Sequence, residues 1–194
     1  MVKKFNDRQL KGLFWILLVI SLGEMGVVST SRAELVDRTE VIVNRQVITW
    51  RQLQVEARLQ AIVDGEIRSW KESLSEEYLN AIRDRLVDRT LLLQEASRLR
   101  VIVENGPAVE EEFQRLKKQF PVKEDWEAFL HAYDLDLQEV RRIVEEKLVV
   151  QSFLETRVTP LFRLSAEPDN QGYEEWIEPW MDRLRSRSKI ERLH

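Results

Sequence analysis

Histidine, cysteine and clustered carboxylates are the side chains that most often carry catalysis or hold metals, and this chain is poor in the first two. It has two histidines in 194 residues, His131 and the final His194. Neither has neighbours at the spacing of a metal site or of a nucleophile–base–acid triad. The chain has no Cys, which removes thiolate metal sites, disulfides, Cys nucleophiles and a lipid-modified N-terminal Cys. No Gly-rich phosphate loop and no dinucleotide fingerprint is present. Carboxylates are plentiful, in Glu110-Glu111-Glu112, Glu145-Glu146 and Glu174-Glu175. Their Lys and Arg neighbours suit solvated helix faces with i,i+4 pairing rather than an acid/base pair. The basic run Arg183, Arg185, Arg187 and Lys189 suits a helix C-terminus, where the dipole favours cations. Its functional alternative is contact with a membrane surface or an anionic ligand. The sequence thus predicts no catalytic residue, no metal and no cofactor.

Aromatic residues stand out more. Trp126, Phe129 and Tyr133 recur at helical spacing, and so do Trp176 and Trp180. Two readings are open: packing within a core, or the rim of a groove that grips apolar segments of another chain. On the second reading Trp126, Phe129 and Tyr133 are the substrate-groove candidates.

The elements around these residues are mostly helical. Val41-Ile42-Val43, a turn at Asn44-Arg45, and Gln46-Val47-Ile48 read as a small β-hairpin. Thr49 and Gln52 have capping-box spacing, so a helix begins there, with Val55, Leu59 and Ile62 on one face and Gly65 as its stop. Residues 64–74 are polar and read as a loop. Ser73 and Glu76 repeat the capping spacing before a long helix reaching Leu99. Leu79, Ile82, Leu86, Thr90 and Leu93, widened by Val87 and Leu91, give that helix a broad apolar face, predicting a central position. Val109, Phe113, Leu116 and Phe120 mark another helix after Asn105-Gly106-Pro107, and Pro121 ends it. Trp126 to Tyr133 is a short helix. Asp136 and Glu139 then cap a further one that runs to about Arg157. Thr159-Pro160 opens a loop over 160–171, and Tyr173 to Leu184 forms a final amphipathic helix. Lys189 to Leu193 is long enough for one strand.

The first 33 residues differ from the rest. Lys3, Lys4, Arg8, Lys11 and Arg32 stand against Asp7 and Glu24, a net +3 in a chain of net −4, so the remainder carries −7. The apolar run Leu13 to Leu22 is shorter than the roughly 20 residues a spanning helix needs. It has the length of the hydrophobic region of a secretory signal. Ser31-Arg32-Ala33 places small residues for cleavage between Ala33 and Glu34. The rival is an uncleaved anchor from Leu13 to Val28. The anionic remainder argues against a nucleic-acid partner, because neutralising phosphates takes clustered cations.

With these motifs in hand, a resemblance emerges. Val36-Asp37-Arg38, Val41-Ile42-Val43-Asn44 and Val47-Ile48-Thr49 resemble the opening of the SurA-type periplasmic chaperones. Leu86-Val87-Asp88-Arg89-Thr90-Leu91-Leu92-Leu93-Gln94-Glu95-Ala96 is similar to a central helix of that family. Phe120-Pro121, the helix from Glu139 to Leu154, and Trp180-Met181-Asp182-Arg183-Leu184-Arg185 with Ile190 continue the likeness in order. The likeness covers about residues 35–158 and 173–193. It departs at Arg45, where the family turn has Gly or a small polar residue, and at Asp134, where a helix-ending Gly is common.

The resemblance implies a mainly α, peptide-binding module whose small N-terminal hairpin is joined by a C-terminal strand. The division would be a signal peptide over 1–33 and a module over 34–194, with a core at 35–158, a loop at 159–172 and a closing helix and strand at 173–193. Family members carry parvulin prolyl-isomerase domains between the last two helices, and the short interval 159–172 leaves no room for one. The expected function is therefore ATP-independent binding of unfolded or partly folded envelope proteins in the periplasm. Isomerase activity is not expected, and membrane contact is confined to export. The alternative is a non-catalytic subunit or assembly factor that docks one envelope protein.

Overall fold

In the computed structural model, residues 37–101, 106–120, 122–164 and 172–193 are described. The expected signal, its cleavage position at Ala33–Glu34, His194, Pro121 and residues 165–171 lie outside them. The described chain is mainly helical, with one small antiparallel sheet.

The hairpin forms where β-branched residues alternate. Strand β1 (Thr39–Val43) pairs with β2 (Gln46–Thr49) in the register Val43↔Gln46, Ile42↔Val47, Val41↔Ile48 and Thr39↔Thr49, with a bulge at Glu40. Of the two turn residues only Asn44 has a positive φ, 59°. Asn tolerates this left-handed conformation, so Arg45 at the second turn position needs none of glycine's freedom. Strand β3 (Ile190–Arg192) pairs with the other edge of β1, giving the order β2-β1-β3.

Five helices follow β2: α1 (Trp50–Val63), α2 (Glu76–Arg98), α3 (Gly106–Lys117), α4 (Lys123–Ala132) and α5 (Leu137–Phe153). Local chemistry sets their ends. Thr49 Oγ1 accepts from the Gln52 N–H at 3.2 Å, and Asp136 and Glu139 form a complete capping box at α5. The cap of α2 is Ser75, whose Oγ accepts from the Tyr78 N–H, and not the expected Ser73. Two serines two residues apart offer the same side chain, and the one whose backbone leads into the apolar stripe takes the role. At the C-termini, Gly65, Arg100 and Asp134 adopt φ of 74°, 51° and 48°. Each is followed by a residue whose N–H reaches back to a carbonyl of the last turn, as Leu135 does to Leu130 O at 2.9 Å. Asp134 thus takes the backbone conformation that glycine usually supplies.

A difference from expectation follows α5. Thr159-Pro160 does not open a loop. A π-helical turn (Leu154–Val158) leads directly into α6 (Thr159–Leu164). Proline has no N–H, and in an α-helix its ring meets the carbonyl four residues back. The wider turn before Pro160 relieves that conflict, and the Thr159 N–H reaches Leu154 O, five residues back. Helix α7 (Tyr173–Ser186) then returns toward β3, with Pro179 inside it.

Two apolar clusters form the interior. The first joins the sheet (Val41, Val43, Ile48), α2 (Leu86, Leu91), Phe153 and Val158, and α7 (Met181, Leu184). The second joins α1 (Val55, Leu59), α3 (Phe113, Leu116), α4 (Trp126, Phe129) and α5 (Val140, Val144). A partly buried ionic cluster links α1, α2 and α5. Glu56 of α1, 4% exposed, accepts from Arg89 of α2 at 2.6 Å and lies 3.4 Å from Lys147 Nζ of α5. Glu146 stands 3.8 Å from Arg89.

Burial opposes ionisation of Glu56, but Arg89 and Lys147 outweigh it and hold its carboxyl below the usual range. Burial raises Glu146. A depressed folded pKa gives stability that is present above the unfolded value of about 4.3 and lost as pH falls through the folded value. Glu146 acts in the opposite sense, giving up stability as pH rises through its own pKa. Urea titrations between about pH 7 and pH 3 should therefore show the parent losing stability on the acid side, with Glu56→Gln less stable at neutral pH but flatter below it. Removing Arg89 as Arg89→Met leaves the buried Glu56 carboxylate with Lys147 alone and should lower unfolding free energy by up to about 3–5 kcal/mol.

Candidate functional site

The three groove candidates do come together. Trp126 and Phe129 project from one face of α4, and Tyr133 is its C-terminal cap. The ring centroids of Phe129 and Tyr133 are 5.1 Å apart, and those of Trp126 and Phe129 are 6.4 Å apart. Their company is interior, however. Trp126 and Phe129 are 2% and 0% exposed, packed by Phe113 and Phe120 with centroids 5.0–6.0 Å away. Tyr133 is half-buried at the edge, beside Trp70 at 6.3 Å and under the Arg58 guanidinium. Burial raises its phenol. In this arrangement Trp126 and Phe129 fill the second core, and of the three only Tyr133 keeps a surface. The spacing that marks an apolar face is the same whether that face meets a core or a ligand.

Three of the four residues of the basic run have acidic partners. Arg185 donates to both carboxylate oxygens of Asp88 on α2, at 2.8 and 2.6 Å, and also meets Glu178 and Asp182. Those hydrogen bonds, Asp88 first, raise its pKa further. Arg187 pairs with Glu95 at 3.5 Å, and Lys189 with Glu191. Arg185 and Arg187 thus tie α7 and the chain after it to α2, while Arg183 of the same run is exposed. The Glu110–Glu112 run behaves as a solvated face, with Glu110 meeting Arg141 and Glu111 and Glu112 meeting Arg115, whereas Glu146 of the second run turns toward Arg89. His131 is exposed on α4. Among the described residues, no group of three or more His, Cys, Asp or Glu is placed to hold a metal ion.

The concave apolar surface lies elsewhere. The C-terminal half of α5, the π turn, α6 and the start of α7 enclose an open groove of about 610 Å³. Val150, Leu154, Phe162 and Tyr173 supply its apolar lining, with Lys147, Gln151, Glu155 and Arg163 along it. Phe162 and Tyr173 of its lining meet edge to face, with centroids 5.4 Å apart, and Trp176 backs Phe162 at 5.5 Å. The volume lies within the 300–1,000 Å³ of small-ligand pockets and suits a few side chains. A π turn often marks a functional site within a helix. Here it aims Phe162 at α7 and leaves Leu161 and Leu164 on the outside, 53% and 82% exposed.

Sequence reasoning missed this groove because it read 160–171 as a loop. The signal that could have found it is the apolar pattern Leu161, Phe162 and Leu164 directly after Pro160, since proline is tolerated in the first turn of a helix.

No protein-family model matches the chain, and no curated protein matches it.

The two aromatic sets separate by experiment. Phe129→Ala should cost about 3–5 kcal/mol of stability, read from urea denaturation. The exposed groove substitution Gln151→Trp should leave the denaturation midpoint near the parent's.

Proposed function

We propose that this chain is an ATP-independent, chaperone-like binder of unfolded or partly folded envelope proteins, a SurA-type module without an isomerase domain. It would act in the periplasm after export. The observation that carries the reading is the open apolar groove between the end of α5, α6 and α7. The mechanism is reversible burial of an apolar client segment against Val150, Leu154 and Phe162, driven by about 25 cal/mol per Å² of apolar surface removed from water. An open groove of this size gives modest affinity and rapid release, which suits a compartment without ATP.

Support for the SurA-type reading comes from contacts between residues that carry the resemblance. Asn44 of the hairpin motif donates to Gln94 of the central-helix motif at 2.7 Å. Asp88 of that helix holds Arg185 of the closing motif. Residues quoted from separate stretches are thus partners across the fold, as parts of one module must be.

A second reading, an assembly factor docking one folded envelope protein, is favoured by Leu161 and Leu164. Two exposed leucines on one short helix suit a fixed partner surface better than a transient client. Pull-down from an envelope extract separates the two: one stoichiometric partner favours docking, many weak clients favour chaperoning.

The direct test of the leading reading is aggregation of a denatured outer-membrane protein diluted into buffer. Suppression at a few-fold excess of the chain is expected, with Val150→Glu and Gln151→Trp losing most of it while keeping the parent's circular dichroism. Undiminished aggregation with the parent chain would sink the reading.

A further inference from the structure

We infer that Glu56, a buried residue of α1 outside the groove's lining, sets the groove's selectivity by taking up the charge of Lys147; this rests on the binding reading above. Three ionised side chains line the groove: Lys147, Glu155 and Arg163. Glu155 and Arg163 are exposed, and neither makes an ion pair among the described residues. They are opposite in sign, so together they give the lining no net charge. Lys147 would tip that balance. Its ammonium, however, lies 3.4 Å from Oε2 of Glu56, a side chain only 4% exposed.

The carboxylate of Glu56 is divided between two cations. Oε1 accepts from Arg89 at 2.6 Å, and Oε2 faces Lys147. Arg89 in turn stands 3.8 Å from Glu146, on which Arg142 and Glu145 act with opposite sign. Charge in this cluster balances only with Lys147 included. Arg89 and Lys147 keep Glu56 ionised despite its burial, so the pairing persists at neutral pH. A lysine stem can cover apolar surface while its charged head is satisfied elsewhere. Lys147 therefore lends the groove methylene wall and no free charge. An unpaired ammonium there would hold water that an apolar client side chain must displace. As folded, the groove takes apolar segments with no preference of its own for the charge of their flanks. Glu56 is thus a positioning residue, acting on the client through Lys147.

The test uses the full chain and two short fluorescein-labelled peptides that share an aromatic-apolar centre and carry either glutamate or lysine flanks. Fluorescence anisotropy at about 0.15 M salt, where long-range effects of net charge are screened, gives the ratio of their affinities. In Glu56→Gln the ammonium is released, and the ratio should shift about threefold toward the glutamate-flanked peptide, within the range of one exposed ion pair. Glu77→Gln makes the same change in net charge at an exposed position of α2 and should keep the parent's ratio. Glu56→Gln combined with Lys147→Met restores the parent's net charge and should restore its ratio, a pattern that lost packing alone would not produce. If circular dichroism shows Glu56→Gln unfolded, Lys147→Met in the parent decides. An unchanged ratio is expected there, and a shift toward the lysine-flanked peptide reveals a free ammonium in the groove and overturns the inference. No shift in a folded Glu56→Gln, or a shift that survives the loss of Lys147, overturns it as well; both results leave the binding reading standing. If neither peptide binds the parent, the inference falls, and a negative aggregation assay takes the binding reading with it.

Discussion

Helix α2 is held by two adjacent residues of opposite charge, and the rest of the fold is arranged around that constraint. Asp88 takes the guanidinium of Arg185 from α7, while Arg89 reaches Glu56 on α1. Successive residues on a helix point about 100° apart, so one pair of neighbours serves two different partners. Buried ion pairs contribute little net stability against a well-packed apolar alternative, but an unmatched one is severely penalised. The effect is to set position. That penalty applies to Glu56 and Arg89, which fix the seat of α1 on α2; the Asp88–Arg185 pair is about a third exposed and adds a directional contact between α2 and α7.

With those positions set, the two cores divide the aromatic residues between them. Trp126 and Phe129 close the second core with Phe113 and Phe120, whereas Trp176 packs with Phe162 and Tyr173 where α6 leaves α5. The groove exists because α6 departs at a π turn. A continuous α-helix would place Phe162 at a different angle, and Pro160 makes that continuation costly.

Much of this was legible in the sequence. The hairpin, the caps at Thr49 and Asp136, the stop at Gly65 and the broad face of α2 follow from residue types at fixed offsets, which is local chemistry. The return of a C-terminal strand came from resemblance, and its pairing with β1 is now described. What the sequence did not reveal is nonlocal or finely balanced. Ser73 and Ser75 differ only in the backbone that follows. Pro160 reads as a helix breaker unless the preceding turn widens. The apolar stripe of α4 has the same spacing whether it faces a core or a client. The pairing of Arg185 with Asp88 joins residues 97 apart, and no local pattern predicts it.

The latch at Asn44 also governs when the module can be complete. The Asn44 side chain accepts from the Lys189 N–H and its own N–H reaches Lys189 O, a contact between residues 145 positions apart. Each doubling of the enclosed chain adds only about 0.6 kcal/mol of closure entropy, so this distance costs little stability. It costs time, because contacts of such long range slow folding. During synthesis β1 has no partner on its second edge until residues 190–192 have emerged. The second edge of β1 therefore stays open until residue 192 has been made, and the topology acts as a timer on completion of the sheet.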